Sequence, residues 1–219
     1  MLKVLSIHIP KTAGTSFYAA LTGAFGTENC IELKRKDMED EAQKAKSLSA
    51  IAAEKRVIHG HLYYSEVESL VQQYDPKIIC WIREPRERLL SDYHFFIKRL
   101  NDRLETQKEH HHLNQHRKTE TFYTYASQAE NKNVLSKYLE GANWENFFFI
   151  GEQEKYQSGL ITLSEKLGKK LETDVRLNSF DNKTFEWEDL EPWLKEKIED
   201  WNKPDLELYK RMKEYLART

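Results

Sequence analysis

His8-Ile9-Pro10-Lys11-Thr12-Ala13-Gly14-Thr15-Ser16-Phe17 is the stretch on which the reading of this chain turns. Residues 3–9, rich in Val, Leu and Ile, read as a strand that Pro10 ends. Residues 15–25 read as a helix, because Phe17, Leu21, Ala24 and Phe25 recur three or four apart and Gly26 suits the C-terminal cap. Strand, tight turn and helix, in that order, open many phosphate-binding α/β folds. The helix start leaves backbone N–H groups free and carries partial positive charge. Gly14 lets an anion approach the backbone, Thr12, Thr15 and Ser16 add hydroxyls, and Lys11 adds a full charge. Lys11, Thr12, Ala13, Gly14, Thr15 and Ser16 thus form an anion cradle. An ordinary polar turn with a solvated lysine has the same composition. The loop is not the GxxxxGK[ST] pattern, because its lysine precedes the glycine and the loop is shorter.

Further along the chain, residues 34–56 are polar and rich in helix formers, as in a surface helix. A short strand over 56–58 leads into His59-Gly60-His61. A helix over 65–74 is expected, with Ser65 and Glu68 as a capping box. Residues 77–82 form a near-continuous apolar run, the pattern of a central parallel strand buried on both faces. Pro85 then opens a long helix. Helices over 121–139, 153–171 and 188–218 and a strand over 147–150 complete the pattern. The expected fold class is α/β, three-layered, with a mostly parallel central sheet, helices on both faces and one domain over 1–219.

Arg83 closes the 77–82 strand, at the sheet edge where open α/β folds bind ligands. Ser91 follows about two helical turns later, so both can converge on one anion. Glu87 and Arg88 read instead as surface salt-bridge partners along the helix. His59 and His61 flank a glycine after a strand, and imidazole has the pKa of a general base. An extended backbone turns both to one side, so the residues alone do not choose between them. No third ligand stands near them in sequence, and no metal is expected. His110, His111, His112 and His116 form a second group among solvated Lys, Glu and Gln, a weak metal signal without cysteine.

Composition narrows the class. The 219 residues are 39% hydrophobic and 32% charged, a globular profile. With 34 basic and 36 acidic residues the net charge is −2, which gives no support to nucleic acid or an anionic membrane as a partner. Cys30 and Cys80 form no disulfide framework, and Cys80 reads as a buried hydrophobe. The apolar N-terminal run is too short for a signal peptide or a spanning segment, so a reducing, cytoplasmic setting is expected.

The two anion-binding segments resemble the two PAPS-binding motifs of the carbohydrate sulfotransferases, especially the heparan sulfate 2-O-sulfotransferase type and its bacterial relatives. (PAPS is 3′-phosphoadenosine 5′-phosphosulfate; PAP is its product, the bisphosphate.) The Pro-Lys-Thr start and Thr-Ser-Phe end of the first segment are similar to the family's 5′-phosphosulfate loop. Arg83 and Ser91 are similar to its 3′-phosphate motif. The likeness covers roughly residues 3–100, weakens over 121–152 and fades beyond. It implies a P-loop-like sulfotransferase fold, PAPS as sulfuryl donor, no metal, and His61 as catalytic base, since the segment resembles that family's His-Gly-His. It also implies that His59 supports the base on the substrate side; Lys11 is expected to stabilise the leaving phosphate, and Tyr63 and Tyr64 are expected to offer stacking surfaces to the acceptor. The acceptor is a hydroxyl-bearing small molecule or carbohydrate. Tyr93, Phe95 and Phe96 are further stacking candidates, with Phe96 read as core. A polar loop around Asn182 to Thr184 is expected to close over the nucleotide. Two other readings stand beside this one: an ATP-dependent small-molecule kinase, which lacks a convincing Mg²⁺ carboxylate and Walker lysine here, and a non-catalytic nucleotide-binding protein.

Overall fold

The structure, a computed structural model, describes residues 1–38, 41–106, 119–172 and 184–218. Its centre is a five-stranded sheet, all parallel: β1 (Val4–Ile7), β2 (Cys30–Leu33), β3 (Val57–Gly60), β4 (Lys77–Ile82) and β5 (Phe149–Glu152). The spatial order is β2-β3-β1-β4-β5, so β1 lies in the middle. Alternation along the strands divides the core. Val4, Val57, Ile79, Trp81 and Phe149 pack under helix α1 (Gly14–Phe25) and helix α7 (Tyr156–Leu167). On the other face, Leu5 and Ile58 meet α2 (Glu41–Glu54) and α3 (Tyr64–Tyr74). Ile7, Cys80 and Ile82 meet α6 (Val134–Tyr138) and α9 (Lys203–Leu216). Helix α4 (Pro85–Thr106) packs Leu89 and Leu90 against α5 (Phe122–Ser127) and α8 (Pro192–Trp201).

Several sequence expectations shift. Strand β2 was not anticipated; its four residues, Cys-Ile-Glu-Leu, are too few to declare a period and become a strand only by pairing with β3. The helix expected over 34–56 starts at Glu41, behind a 3₁₀ turn at Arg35–Met38. The Ser65–Glu68 capping box gives way to Glu66, whose carboxylate accepts the Tyr63 N–H at 2.9 Å. The 121–139 helix is broken twice, at extended Gln128 and at Asn133, which has φ 51°. Tertiary bonds explain the second break: Asn133 donates to Trp201 O at 3.0 Å, and buried Asp205 accepts the Leu135 and Ser136 N–H groups at 2.9 and 2.7 Å. The 188–218 helix becomes α8 and α9, which start Pro192 and Lys203-Pro204, as proline's missing donor dictates. Among the described residues no helix is long and apolar enough to cross a membrane.

Candidate active site

The loop from β1 to α1 is bent by two left-handed residues, Lys11 (φ 70°) and Ala13 (φ 66°). Ala13 is the N-cap of α1 and makes no side-chain cap bond, and the helix start lines a cleft. Thr12 is buried, and its hydroxyl donates to Ile9 O at 2.7 Å. That hydroxyl tightens the turn and is not presented to an anion, unlike the expectation. Lys11, Ala13, Gly14, Thr15 and Ser16 all line a cleft of about 860 Å³ at the carboxyl edge of the sheet.

Three imidazoles meet beside this loop. The ring of His8 lies between His59 and His61, with centroids 4.9 and 4.2 Å away and near-parallel planes. Tyr18 covers the far side of His59 at 5.5 Å. Two glycines make the room. A Cβ on Gly14 would lie 1.9 Å from His8 Nε2, and one on Gly60 would lie 2.2 Å from the Leu33 carbonyl oxygen. The extended strand end does turn His59 and His61 to one side, and the two separate by depth. His59 is fully buried, bonds Ser6 Oγ through Nδ1 at 2.8 Å, and has its pKa pushed down to about 3, chiefly by burial. It does not reach the cleft. His61 does, and its Nδ1–H donates to the His8 carbonyl at 2.9 Å. Burial lowers its pKa, against the opposing pull of that hydrogen bond and of the Glu32 and Asp92 carboxylates. His61 is thus a neutral imidazole with Nδ1 committed and the Nε2 lone pair available.

Helix α4 forms the opposite wall. Arg83 is mostly buried and reaches the Lys11 carbonyl and Glu87, each at 3.5 Å. Arg83 and Ser91 line the same cleft, as the sequence led us to expect. The Lys11 ammonium lies 3.9 Å from the Phe95 ring centroid, and burial lowers its pKa to about 8. Arg88 is a correction. It is no surface residue: its side chain is 2% exposed, and it donates to Asn131 O at 3.1 Å and to Asp92 at 3.4 Å. A guanidinium fixed behind the cleft adds positive potential to the wall that Lys11 and Arg83 present.

Some expected residues stay out. Tyr64 stacks on Phe147 in the core, and Tyr63 sits edge-on to Tyr138 under the Arg35 guanidinium. Neither lines the cleft. Tyr93 donates to Glu120 O, and Phe96 stacks on Tyr125 in the core. Asn182 and the histidines at 110–116 lie outside the described residues, while the Thr184 hydroxyl lies 3.3 Å from His94 Nε2.

Two residues escaped the sequence reading. Tyr138 places its hydroxyl 3.5 Å from His61 Nδ1, and Glu32 lines the cleft beside His61. A carboxylate oxygen of Glu32, one nitrogen of His8 and one of His59 lie within 4.8 Å of one another, a grouping that does not include His61. Glu32 was hidden because β2 was, and Tyr138 because nothing local distinguishes it from core.

Residues 20–151, more than half of the chain, match a family model described as "Sulfotransferase domain". No curated protein matches in sequence. The fold is similar to the crystal structure of mouse sulfotransferase SULT7A1 complexed with PAP, with TM-score 0.51 and 16% identity over 91% of this chain and 62% of that one. The chain therefore spans under two thirds of the mouse protein's length. It is equally similar to a sulfotransferase from Alicyclobacillus acidocaldarius, with TM-score 0.51 and 15% identity over 95% of each chain.

Proposed function

The chain belongs to the sulfotransferase domain family, and on that premise we propose that it transfers a sulfuryl group from PAPS to an acceptor hydroxyl, with residues 1–219 acting as one catalytic domain. The observation that carries the reading is the pairing, in one cleft, of a neutral His61 whose Nδ1 is committed with a cationic loop at a helix start. The cleft suits the donor at both ends. The backbone N–H groups of Gly14, Thr15 and Ser16 at the helix start, with Lys11, would hold the 5′-phosphosulfate, and Arg83 with Ser91 the 3′-phosphate. The PAP in the mouse structure supports the same choice of nucleotide. Family membership and an arginine, not a carboxylate, after β4 weigh against the kinase reading.

In the reaction, His61 Nε2 takes the proton of the acceptor hydroxyl while that oxygen bonds to sulfur and the bond from sulfur to the phosphate oxygen breaks. Glu32 and Asp92 stabilise the imidazolium that forms. Lys11 and the loop N–H groups meet the charge developing on the leaving phosphate. His59, locked by Ser6, supports the stack from beneath. The motif likeness to carbohydrate sulfotransferases favours a hydroxyl-rich acceptor. Buried, unpaired Cys30 and Cys80 suit a reducing, cytoplasmic compartment. A thermal-shift series with PAP, PAPS, ATP and ADP, with and without Mg²⁺, tests the nucleotide. Metal-independent stabilisation by PAP above all others is expected, and preference for ATP with Mg²⁺ would reject the reading.

A further inference from the structure

The acceptor side of the cleft carries a charge that donor binding does not use. Glu32 stands on β2 directly beside His59 in the sheet register, and it shares with His61 the wall of the cleft away from Arg83 and Ser91. Its carboxylate is half-buried, and among the described residues no hydrogen bond or ion pair engages it. Of the cationic residues beside it that also line the cleft, Lys34 is exposed, and Arg35 is committed: it makes two bonds to Glu66, at 2.7 and 2.5 Å, and lies over the Tyr63 ring at 4.2 Å. An unpaired carboxylate in a cleft that substrate fills is costly unless a cation joins it. One oxygen of Glu32 lies within 4.8 Å of one nitrogen of His8 and one of His59. Both imidazoles are buried, and His8 Nδ1 has no hydrogen-bond partner among the described residues.

We propose that Glu32 selects the acceptor, and that the preferred acceptor is a hydroxyl compound bearing a protonated amine close to the reacting oxygen, as in an amino sugar or amino alcohol. The inference rests on the sulfotransferase reading and deepens it. It departs from the polyanionic acceptor that a heparan sulfate likeness suggests, since a uronate or sulfate placed beside Glu32 meets like charge. The cationic wall of Lys11 and Arg83 does not relieve this, because the donor's phosphates occupy it.

The test uses two matched sets of acceptors with labelled PAPS: glucosamine, glucose and glucuronate, and tyramine, 4-ethylphenol and 3-(4-hydroxyphenyl)propionate. Within each set the amine is expected to exceed the neutral compound by about ten- to hundredfold in kcat/KM, the scale of one charge-assisted hydrogen bond. The acid should be poorest. Glu32→Gln should bring the amine-to-neutral ratio close to one, and Glu32→Lys should favour the acid. Binding of PAP by each variant reports that it is folded. Loss on all acceptors in Glu32→Gln with the amine-to-neutral ratio unchanged would confine Glu32 to the chemical step and overturn the proposal. So would an acid turned over as fast as the amine, or failure of all six with PAP still bound. Failure to bind PAP at all would overturn the sulfotransferase reading beneath it. An amine preference that disappears with EDTA and returns with Zn²⁺ would give the three converging donors to a metal ion, again overturning the proposal; indifference to EDTA supports it.

Discussion

The Nδ1–H of His61 donates to the main-chain carbonyl of His8 at 2.9 Å, and the two rings stack with centroids 4.2 Å apart. One residue just past β1, at the entry to the loop before α1, therefore fixes both the tautomer and the plane of the candidate base. Chain geometry makes this available because β1 and β3 are parallel neighbours in register, Ile7 opposite Gly60, and the next residues rise together above the sheet edge. Gly14 and Gly60 are the two positions where a side chain would push into this arrangement.

The first prediction concerns acid pH. Burial holds the His61 pKa below the usual 6.5, so the neutral base persists into mildly acidic solution. In a profile of kcat/KM against pH, the acidic limb should lie below pH 6.5. Activity falls as pH drops through the His61 value, because the protonated ring has no lone pair to offer. A limb above 6.5 would assign the base to another group.

At alkaline pH, Lys11 should set the other limb. Its ammonium, lowered to about 8 by burial, is charged below that value and neutral above it. The profile should fall near pH 8 in the nucleotide-free enzyme, and Lys11→Arg should move that limb upward while keeping the charge. Lys11→Ala should lower kcat far more than it weakens PAP, since the charge matters most as the leaving group ionises. Titration calorimetry alongside turnover makes the comparison.

Arg83 is expected to read the 3′-phosphate. Arg83→Ala should weaken PAP by about ten- to hundredfold and leave 5′-AMP, which lacks that phosphate, nearly unaffected. Both nucleotides can be measured by calorimetry on the same preparations. Parallel weakening would make Arg83 a scaffold for the Lys11 loop, whose carbonyl it approaches at 3.5 Å.

Folding stability should carry the signature of His59. Its folded pKa of about 3 lies below the 6.5 of the unfolded chain, so below pH 6.5 the unfolded state binds a proton that the folded state refuses. Stability contributed by the neutral ring is complete above pH 6.5 and is lost as pH falls towards 3, by about 1.4 kcal/mol per pH unit. Urea unfolding of the wild type and His59→Gln across this range should show the shallower slope in the variant.

The pattern of the sheet was legible because β4 is a six-residue apolar run that only a two-sided burial explains, and because Pro10 and Pro85 punctuate the strand ends and the long helix. Lys11 and Arg83 were legible for a related reason: each follows a strand, where parallel sheets expose their ligand edge, whereas His61 was distinguished from His59 only by the family resemblance. What stayed hidden depended on contacts between distant segments. Strand β2 exists through β3, so Glu32 had no visible context. Arg88 resembled its charged neighbours until the packing of α4 buried it against Asn131. The break at Asn133 follows from bonds to residues some seventy positions away, which no local period encodes. Depth likewise separated His59 from His61, two residues that the strand period treats alike.

The most direct test of the account is single-turnover transfer from labelled PAPS by wild type and His61→Ala, with PAP affinity measured on the same samples. Wild type should pass the label to an acceptor hydroxyl and release PAP. The variant should bind PAP like wild type and transfer about 10² to 10⁴ times more slowly, the loss expected of a general base. Transfer by His61→Ala at the wild-type rate would contradict the account at its centre.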